Sequence, residues 1–308
     1  MNSKTELWPP LRWKEWRETA MTVHLFTQII GKIRLGLMPM QAEWAQVPLS
    51  LNSRGLSSVS MPTDNGTLDI NFDFISHNIY FFSSTGKTIS FSLKDHSVAD
   101  FYKETVQALD ELNINVKINP MSVEMVTAVK MDTDTEDKAY DSDAVRRWWH
   151  LLVMIGNVFN KFRSRFSGKE FPVNFFWGSF DLSVTLFSGK LVDTPANSDL
   201  IYRVAMDAEQ ITLGFWPGSD DFPEPVFFGY IYPKPERFEN SIIKPSSSYW
   251  SNEKGEFILP YESIRTNDPE TSLLEFCESV YETAAKLAGW DLKTLEHKPA
   301  VNKPKLKK

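Results

Sequence analysis

The segment 160–190 constrains the fold more than any other, because its apolar residues alternate in two different phases. Those in the first part occupy every second position, which is typical of a half-buried strand: Val173, Phe175 and Trp177. Those in the second part occupy the opposite phase: Phe180, Leu182, Val184 and Leu186. A strand changes its buried face only at a bulge or a turn. We therefore predict a kink at Gly178–Ser179, with Asp181 and Ser183 on the face opposite Phe180.

A weaker version of this pattern lies near the N-terminus, in GKIRLGLMPMQAEWAQVPLSLNSRG. In both places a long helix is predicted to end in a basic cluster, and a polar residue, Gln46 or Asn174, then opens a strand. Antiparallel strands and a C-terminal helix follow in each case. We interpret this as a duplicated unit of roughly 130 residues. A duplication predicts an approximate twofold axis, with equivalent strands paired or packed across it; the alternative is coincidence between two ordinary halves.

The predicted fold is α+β, with two similar helix–antiparallel strands–helix halves that form antiparallel sheet covered by long helices. The predicted units are a first half over 1–120, an acidic linker over 121–142, a second half over 143–290 and a disordered basic tail over 291–308. Local signals set several helix ends. Ser97 with Asp100 resembles a capping box, and Asp268–Pro269 predicts a helix start. Gly168 is predicted to cap the long helix of the second half.

Composition excludes several classes of protein. The net charge of −7 argues against nucleic-acid binding, and no run of about 18 apolar residues predicts a membrane span. Cys277 is the one cysteine, so a disulfide framework and a multi-cysteine metal site are excluded. The sequence therefore predicts a soluble, cytoplasmic protein that contacts neither nucleic acid nor membrane. It leaves the oligomeric state and any cofactor open.

The catalytic patterns that we considered are weak. His24 is the one histidine placed to share a site with Ser179 and Asp181, but no GxSxG elbow accompanies the serine. The carboxylates of the linker lack the central glycine and terminal glutamate of a calcium loop, and no histidine spacing predicts a metal site. Glycine-rich phosphate loops are absent too. We therefore expect no metal and leave it open whether the protein is an enzyme.

The candidate site is a row of polar residues on the first helix that faces the kinked strand. His24, Gln28 and Lys32 recur at intervals of four, so they share one side of the helix. That side is either a solvated face or a ligand-facing row. The basic residues at the two helix ends either satisfy terminal carbonyls or, with Arg54, bind an anion between the halves. The predicted ligand-binding set is His24, Gln28, Lys32, Arg54, Asn174, Trp177, Ser179 and Asp181, with Thr27 in support.

Three functions fit this set. The first is a small-molecule binding protein with its pocket between the halves, which agrees with the concentration of aromatic residues around a few polar groups. The second is an enzyme in which His24 acts as base and Asp181 orients it. The third is a protein-interaction module that uses a sheet edge.

Seven segments follow one another in the order of an uncharacterised bacterial family: TVHLFTQIIGKIRL, RGLSS, NFDFI, HSVADFYKE, NFFWGSFDLSVT, GFWPG and LPYESIR. On these segments, from about Leu7 to Trp290, the chain resembles domain of unknown function family 5996. The resemblance implies no activity. Family members often carry histidine at the positions of Gln46 and Asn174, so a reaction that needs that imidazole pair would be lost here.

Overall fold

The computed structural model describes residues 7–297, and within them all of the strands join one antiparallel sheet. Twelve strands belong to it. The first six are β1 (Leu49–Leu51), β2 (Gly55–Ser57), β3 (Met61–Thr63), β4 (Gly66–Asp73), β5 (Asn78–Ser83) and β6 (Thr88–Ser92). The others are β7 (Glu170–Phe176), β8 (Asp181–Leu191), β9 (Ala208–Trp216), β10 (Val226–Tyr232), β11 (Tyr249–Ser251) and β12 (Glu256–Pro260).

Helices precede and follow each group of strands. They are α1 (Trp13–Leu37), α2 (Val98–Glu111), α3 (Ser142–Arg163), α4 (Leu200–Ala205), α5 (Tyr261–Ile264), α6 (Pro269–Leu287) and α7 (Leu292–Leu295). A short 3₁₀ helix, Ala42–Trp44, connects α1 to β1, and another spans Phe238–Asn240. This arrangement confirms the predicted α+β class with an antiparallel sheet and long helices.

The sheet runs in the order β11-β12-β10-β9-β8-β7-β1-β2-β4-β5-β6, with β3 beside β4. Its centre is the antiparallel pair β1–β7, in which Leu49 lies opposite Phe175 and Ser50 opposite Asn174. Each of these strands is the first to follow a long helix, α1 or α3. This pairing agrees with a duplication, although the duplication itself and the domain boundaries stay predictions. The tail predicted to be disordered over 291–308 is ordered in its first part, where α7 lies and Glu296 bridges Phe166, and residues 298–308 lie outside the described residues.

The long helices cover one face of the sheet. The α3 helix contacts β1, β7 and β8, and α6 contacts β9 and β10. The core between these layers is rich in aromatic rings because alternate strand residues point toward the helices. Trp148 of α3 is fully buried, with its ring centroid 5.6 Å from Phe175 and 4.9 Å from Phe180. Trp16 of α1 lies 5.9 Å from Trp148 on the other side.

Two helix starts agree with the local signals. Ser97 and Asp100 form a reciprocal capping box at the start of α2, and Asp268 caps α6 with Pro269 in the first turn. One helix end was predicted wrongly. The α3 helix stops at Arg163, and Gly168 is absent from the left-handed glycines, so it does not cap the helix.

The predicted kink is instead a reversal of the chain. Residues 177–180 form a turn, and β7 and β8 pair antiparallel on either side of it, with Phe176 opposite Asp181. Phe180, not Gly178, takes the left-handed backbone conformation, with φ of 62°. The predicted placement of Asp181 and Phe180 on opposite faces is thus a consequence of the turn and not of a kink within one strand. The hairpin also shapes the site, because it brings Asp181 next to Phe176.

Candidate functional site

The sheet of the second half has one apolar and one polar face. On β8, Leu182, Val184 and Leu186 alternate with Asp181, Ser183 and Thr185. The cross-strand register continues the polar face, since Ser183 lies opposite Asn174 and Thr185 opposite Thr212. Side chains directly opposite each other share one face of a sheet. The apolar face packs on α3 and α6, so the polar face points away from these helices.

This polar face is also covered, which is unusual for a row of hydroxyl groups. Ser183 is 3% exposed and Thr185 is 4% exposed. The hydroxyl groups bond to one another or to neighbours, as buried polar groups must. The Thr185 and Thr212 oxygens lie 2.9 Å apart, and the Gln210 amide donates to the carbonyl of Ala205 at 2.8 Å.

A cavity of about 450 Å³ lies above the polar face. Its cover comes from the first half, through the end of α1, the 3₁₀ helix and the segment after it, and from Val123–Glu124 of the 121–142 linker. Ile201, Ala205 and Met206 around α4 close another side. Aromatic rings form much of the wall: Trp44, Phe171, Phe176, Trp177, Phe228 and Tyr230.

The 177–180 turn forms one end of the cavity and is held from behind by α1. Trp177 packs directly on Gly31, where an added Cβ would lie 2.3 Å from the indole ring. Its Nε1 donates a hydrogen bond to the Val47 carbonyl at 2.9 Å. His24 lies 2.9 Å from the Gly178 carbonyl, and its ring stacks on Phe180 at 4.7 Å. A carbonyl oxygen cannot donate, so Nε2 of His24 carries the proton.

His24 therefore fixes the turn and does not act on Asp181. Its ring nitrogens bond neither Asp181 nor Ser179 within residues 7–297. Burial is the main cause that lowers the pKa of His24 to about 4, so the ring is neutral at pH 7. With so low a pKa the ring is a weak base, and His24 does not line the cavity, so it is a poor candidate for the base of the predicted enzyme.

Asp181 is the carboxyl group at the centre of the site. It is 8% exposed, and its Oδ1 accepts a short hydrogen bond from the Ser179 hydroxyl. Burial raises its pKa to about 6 against the opposing effect of hydrogen bonds from Ser179 and Ser183. Asp181 also lines a second, smaller cavity of about 190 Å³ with Glu256. Burial, followed by repulsion from Asp181, raises the pKa of Glu256 to about 7.

Lys32 is the cation of the cavity. It lies near the end of α1, is 9% exposed, and lines the wall with its ammonium 6.0 Å from the centre of the Trp177 ring. Burial alone lowers its pKa. In the described part of the chain, Lys32 has neither a hydrogen bond nor an ion pair through its ammonium. This distinguishes it from Lys169, which pairs with Glu43 on the same wall.

Four of the ten non-glycine residues with positive φ in residues 7–297 lie at or next to the cavity. Glu43, Trp44 and Glu124 all line it and have φ values of 51°, 60° and 55°. Phe180, in the adjoining turn, is the fourth such residue. Left-handed conformations cost non-glycine residues about 1 kcal/mol or more each, and they cluster at functional sites. Burial also raises the pKa of Glu124, although the residue remains partly in solvent.

The structure brings part of the predicted set together. Lys32, Trp177, Ser179 and Asp181 line the cavity. His24 and Gln28 lie behind its wall; the Gln28 amide bonds the backbone of Val123 in both directions, each at 2.8 Å. Thr27 is fully buried and donates to the His24 carbonyl.

Two predicted residues lie outside the cavity. Asn174 lines a neighbouring cavity of about 500 Å³ with Arg34. Arg54 pairs with Asp73 at 2.5 Å, at a fourth cavity near β4 and β5, so the predicted anion site shared by Arg54 and the helix ends does not form. Gln46 is buried and accepts a bond from the Gln41 backbone.

Several lining residues were missed by the sequence analysis. Thr185 and Thr212 could have been found, because they continue the polar phase that Asp181 and Ser183 begin. Glu43 and Glu124 could not, because both lie outside regular strands and reach the cavity through left-handed backbone. The described residues contain no group of three or more histidine, cysteine, aspartate or glutamate side chains able to hold a metal ion.

The fold and cavity together define an α+β protein whose polar sheet face is enclosed by its other half. Within residues 7–297 no helix is both long and apolar enough to cross a membrane. The profile of the family of unknown function DUF5996 matches residues 8–297, and the chain belongs to this family. Comparison with the curated proteins and with the solved structures returned no match.

Proposed function

We propose that the protein is a cytoplasmic small-molecule binding protein whose ligand occupies the 450 Å³ cavity. The observation that carries the proposal is the cover over the polar face of the second half. Ligand pockets typically enclose a few hundred cubic ångströms between apolar walls with a small number of polar groups. This cavity has that size, aromatic walls, and the polar groups of Lys32, Asp181 and the Thr185–Thr212 pair.

The cavity wall is also built at an energetic cost, which supports a role in binding. A buried carboxyl, an ammonium without a counter-charge and strained backbone all lower the stability of the folded chain. Natural proteins retain such groups where function requires them. Both halves contribute to the proposed site, since Lys32, Trp44 and Val47 of the first half complete a site whose floor lies on β8 and β9.

Native mass spectrometry of the freshly purified full chain tests the proposal. We expect a mass increment that disappears on denaturation. In Ala205→Phe the ring fills the cavity from α4, and the increment should be lost. Arg203→Phe is the matched control, because this exposed α4 residue does not line the cavity and the increment should remain.

A second readout covers a ligand that is lost during purification. A small-molecule library should include compounds that raise the melting temperature of the wild type and of Arg203→Phe, since binding at about 100 times Kd stabilises by roughly 2.7 kcal/mol. Ala205→Phe should not respond. A wild-type mass equal to that of the polypeptide, together with identical responses of wild type and Ala205→Phe to every compound, would contradict the proposal.

A second candidate function is an enzyme, with Asp181 in place of His24 as the proton-transfer group. It is favoured by the two carboxyl groups, Asp181 and Glu256, whose pKa values are raised to about 6 and about 7. Acid–base catalysis works best with a pKa near the operating pH. If a retained ligand is identified, its conversion by wild type and by Asp181→Asn separates the two functions. Turnover that survives Asp181→Asn unchanged would reject this role for Asp181.

A further inference from the structure

Lys32 lacks the counter-charge that a buried ammonium requires. Burying an isolated charge is unfavourable unless it is paired or hydrogen-bonded. Lys32 is 9% exposed, and the nearest aromatic partner, Trp177, lies at 6.0 Å, which is the outer limit of a cation–π contact. Within residues 7–297 its ammonium has no carboxylate within ion-pair distance.

Two of the three carboxylates that line the cavity are engaged by other residues, and none of the three is within ion-pair distance of Lys32. Glu43 pairs with Lys169, and Asp181 accepts the Ser179 hydroxyl. Glu124 lies over the turn, where its carboxylate occupies the space that a side chain on Gly178 would need. Among the described residues, the Lys32 ammonium is therefore without a counter-charge at the wall of the cavity, where it is placed to meet an anionic group of a ligand.

The surroundings of Lys32 select the charge of that anion. One ammonium neutralises one negative charge. A phosphate dianion would leave a net negative charge beside Asp181, Glu124 and Glu43, which all line the cavity. Phosphate sites also recruit several donors, such as arginine side chains and helix N-termini, whereas Lys32 lies near the C-terminal end of α1. A carboxylate monoanion satisfies the site without this repulsion.

The walls select the remainder of the ligand. Trp177 lies beside Lys32, and Trp44, Phe176 and Phe228 line the same cavity. Aromatic walls favour flat apolar groups by stacking. The Thr185–Thr212 pair and Asp181 on the floor can accept hydrogen bonds from the far end of such a molecule.

We propose that the cavity binds a small aromatic carboxylate, with the carboxylate on the Lys32 ammonium and the ring between the tryptophan and phenylalanine side chains. This inference rests on the proposed binding function and adds the chemical class of the ligand. In this proposal Lys32 recognises the negative charge of the ligand, and the polar side chains on the sheet recognise its hydrogen-bond donors.

The test compares acids with their neutral amides of the same shape. The probes are benzoate and benzamide, 4-hydroxybenzoate and its amide, and indole-3-acetate and its amide, with inorganic phosphate as a further arm. Affinities for the full-length protein are measured by calorimetry at pH 7. At least one acid should bind about tenfold or more tightly than its amide, which is the size expected for one charge-assisted hydrogen bond.

Lys32→Met and Lys32→Gln should both bring acid and amide to equal affinity, and circular dichroism verifies that each variant is folded. Lys161→Met is the matched control. Lys161 occupies the corresponding end of α3 but is exposed and outside the cavity, so the preference for the acid should persist.

Each other outcome overturns the inference in a distinguishable way. Equal binding of acids and amides by wild type removes the role of Lys32 and leaves the binding function intact. Phosphate binding that matches the acids and is lost in both Lys32 variants shows that the monoanion was the wrong choice. If wild type binds none of the probes, the ligand class is wrong, and the retained-ligand experiment decides the binding function independently.

Discussion

Replacing Gly31 by alanine tests how the cavity wall is held, because two opposing effects meet at this residue. Alanine is favoured over glycine inside a helix by about 1 kcal/mol. At Gly31, however, the new Cβ would lie 2.3 Å from three atoms of the Trp177 ring, far inside van der Waals contact. The α1 backbone cannot yield at that point without disturbing a long buried helix, so the indole ring must move.

Moving the ring has two costs that can be estimated. Overpacking a buried site typically costs about 1–3 kcal/mol. Displacement of Trp177 also breaks the 2.9 Å bond from its Nε1 to the Val47 carbonyl, which leaves partners unsatisfied at about 1–3 kcal/mol. Against the helical gain of about 1 kcal/mol, the middle of these ranges leads us to expect that Gly31→Ala lowers the free energy of unfolding by about 3 kcal/mol.

Urea denaturation followed by circular dichroism measures this change, and near-ultraviolet circular dichroism reports the displaced tryptophan. Gly156→Ala is the matched control, at the similar position on α3. Its Cβ would meet only the side chains of Leu51 and Val173, at 3.2 and 3.7 Å, so it should be neutral or stabilising. If Gly31→Ala is as stable as wild type, the indole ring is not fixed in the way that we describe.

Two further predictions concern the charged groups. Lys32→Met keeps the length of the side chain and removes a buried charge. It should therefore raise the free energy of unfolding of the ligand-free protein by about 1 kcal/mol, or roughly 2 °C in melting temperature, whereas Lys161→Met should change neither. A destabilised Lys32→Met would mean that the ammonium is satisfied within the protein. Asp181 has a pKa raised to about 6, so between about pH 4 and 6 the folded protein holds a proton that the unfolded chain has released, and this contribution to stability declines as pH rises through that window. The free energy of unfolding of Asp181→Asn should therefore exceed that of wild type by up to about 2 kcal/mol above pH 6, and the difference should vanish near pH 4. Urea denaturation at a series of pH values measures this difference, with the exposed Asp64→Asn as control. A difference that does not vary with pH would contradict the raised pKa.

Local signals predicted the starts of α2 and α6 because N-terminal capping is decided by residues about three positions apart. The hairpin was harder. A kinked strand and a hairpin produce the same inversion of the apolar pattern, so the sequence does not distinguish them. The glycine in the turn also suggested the wrong position for the unusual backbone conformation. Phe180 takes the left-handed conformation instead, and its ring stacks on Trp148 at 4.9 Å and on His24 at 4.7 Å. Tertiary packing thus outweighs the local cost of a non-glycine residue there.

The site was predictable where it lies on regular elements. From the spacing of residues on α1 and β8, the sequence analysis assigned Lys32 and Asp181 to one site, and both line the cavity. The contribution of the 121–142 segment was not predictable, because an acidic composition favours a solvated linker. Glu124 reaches the cavity because the buried Gln28 amide bonds the Val123 backbone, a contact between residues 95 positions apart.

The seam between β1 and β7 has a consequence for the separated halves. Only two residue pairs define it, Leu49 with Phe175 and Ser50 with Asn174. A chain divided in the 121–142 segment would expose an unsatisfied strand edge on each fragment. Open edges recruit any strand of suitable length, including the same strand of another copy. The polypeptide link between the halves thus protects against self-association, since it supplies each edge with its proper neighbour before a second molecule can reach it.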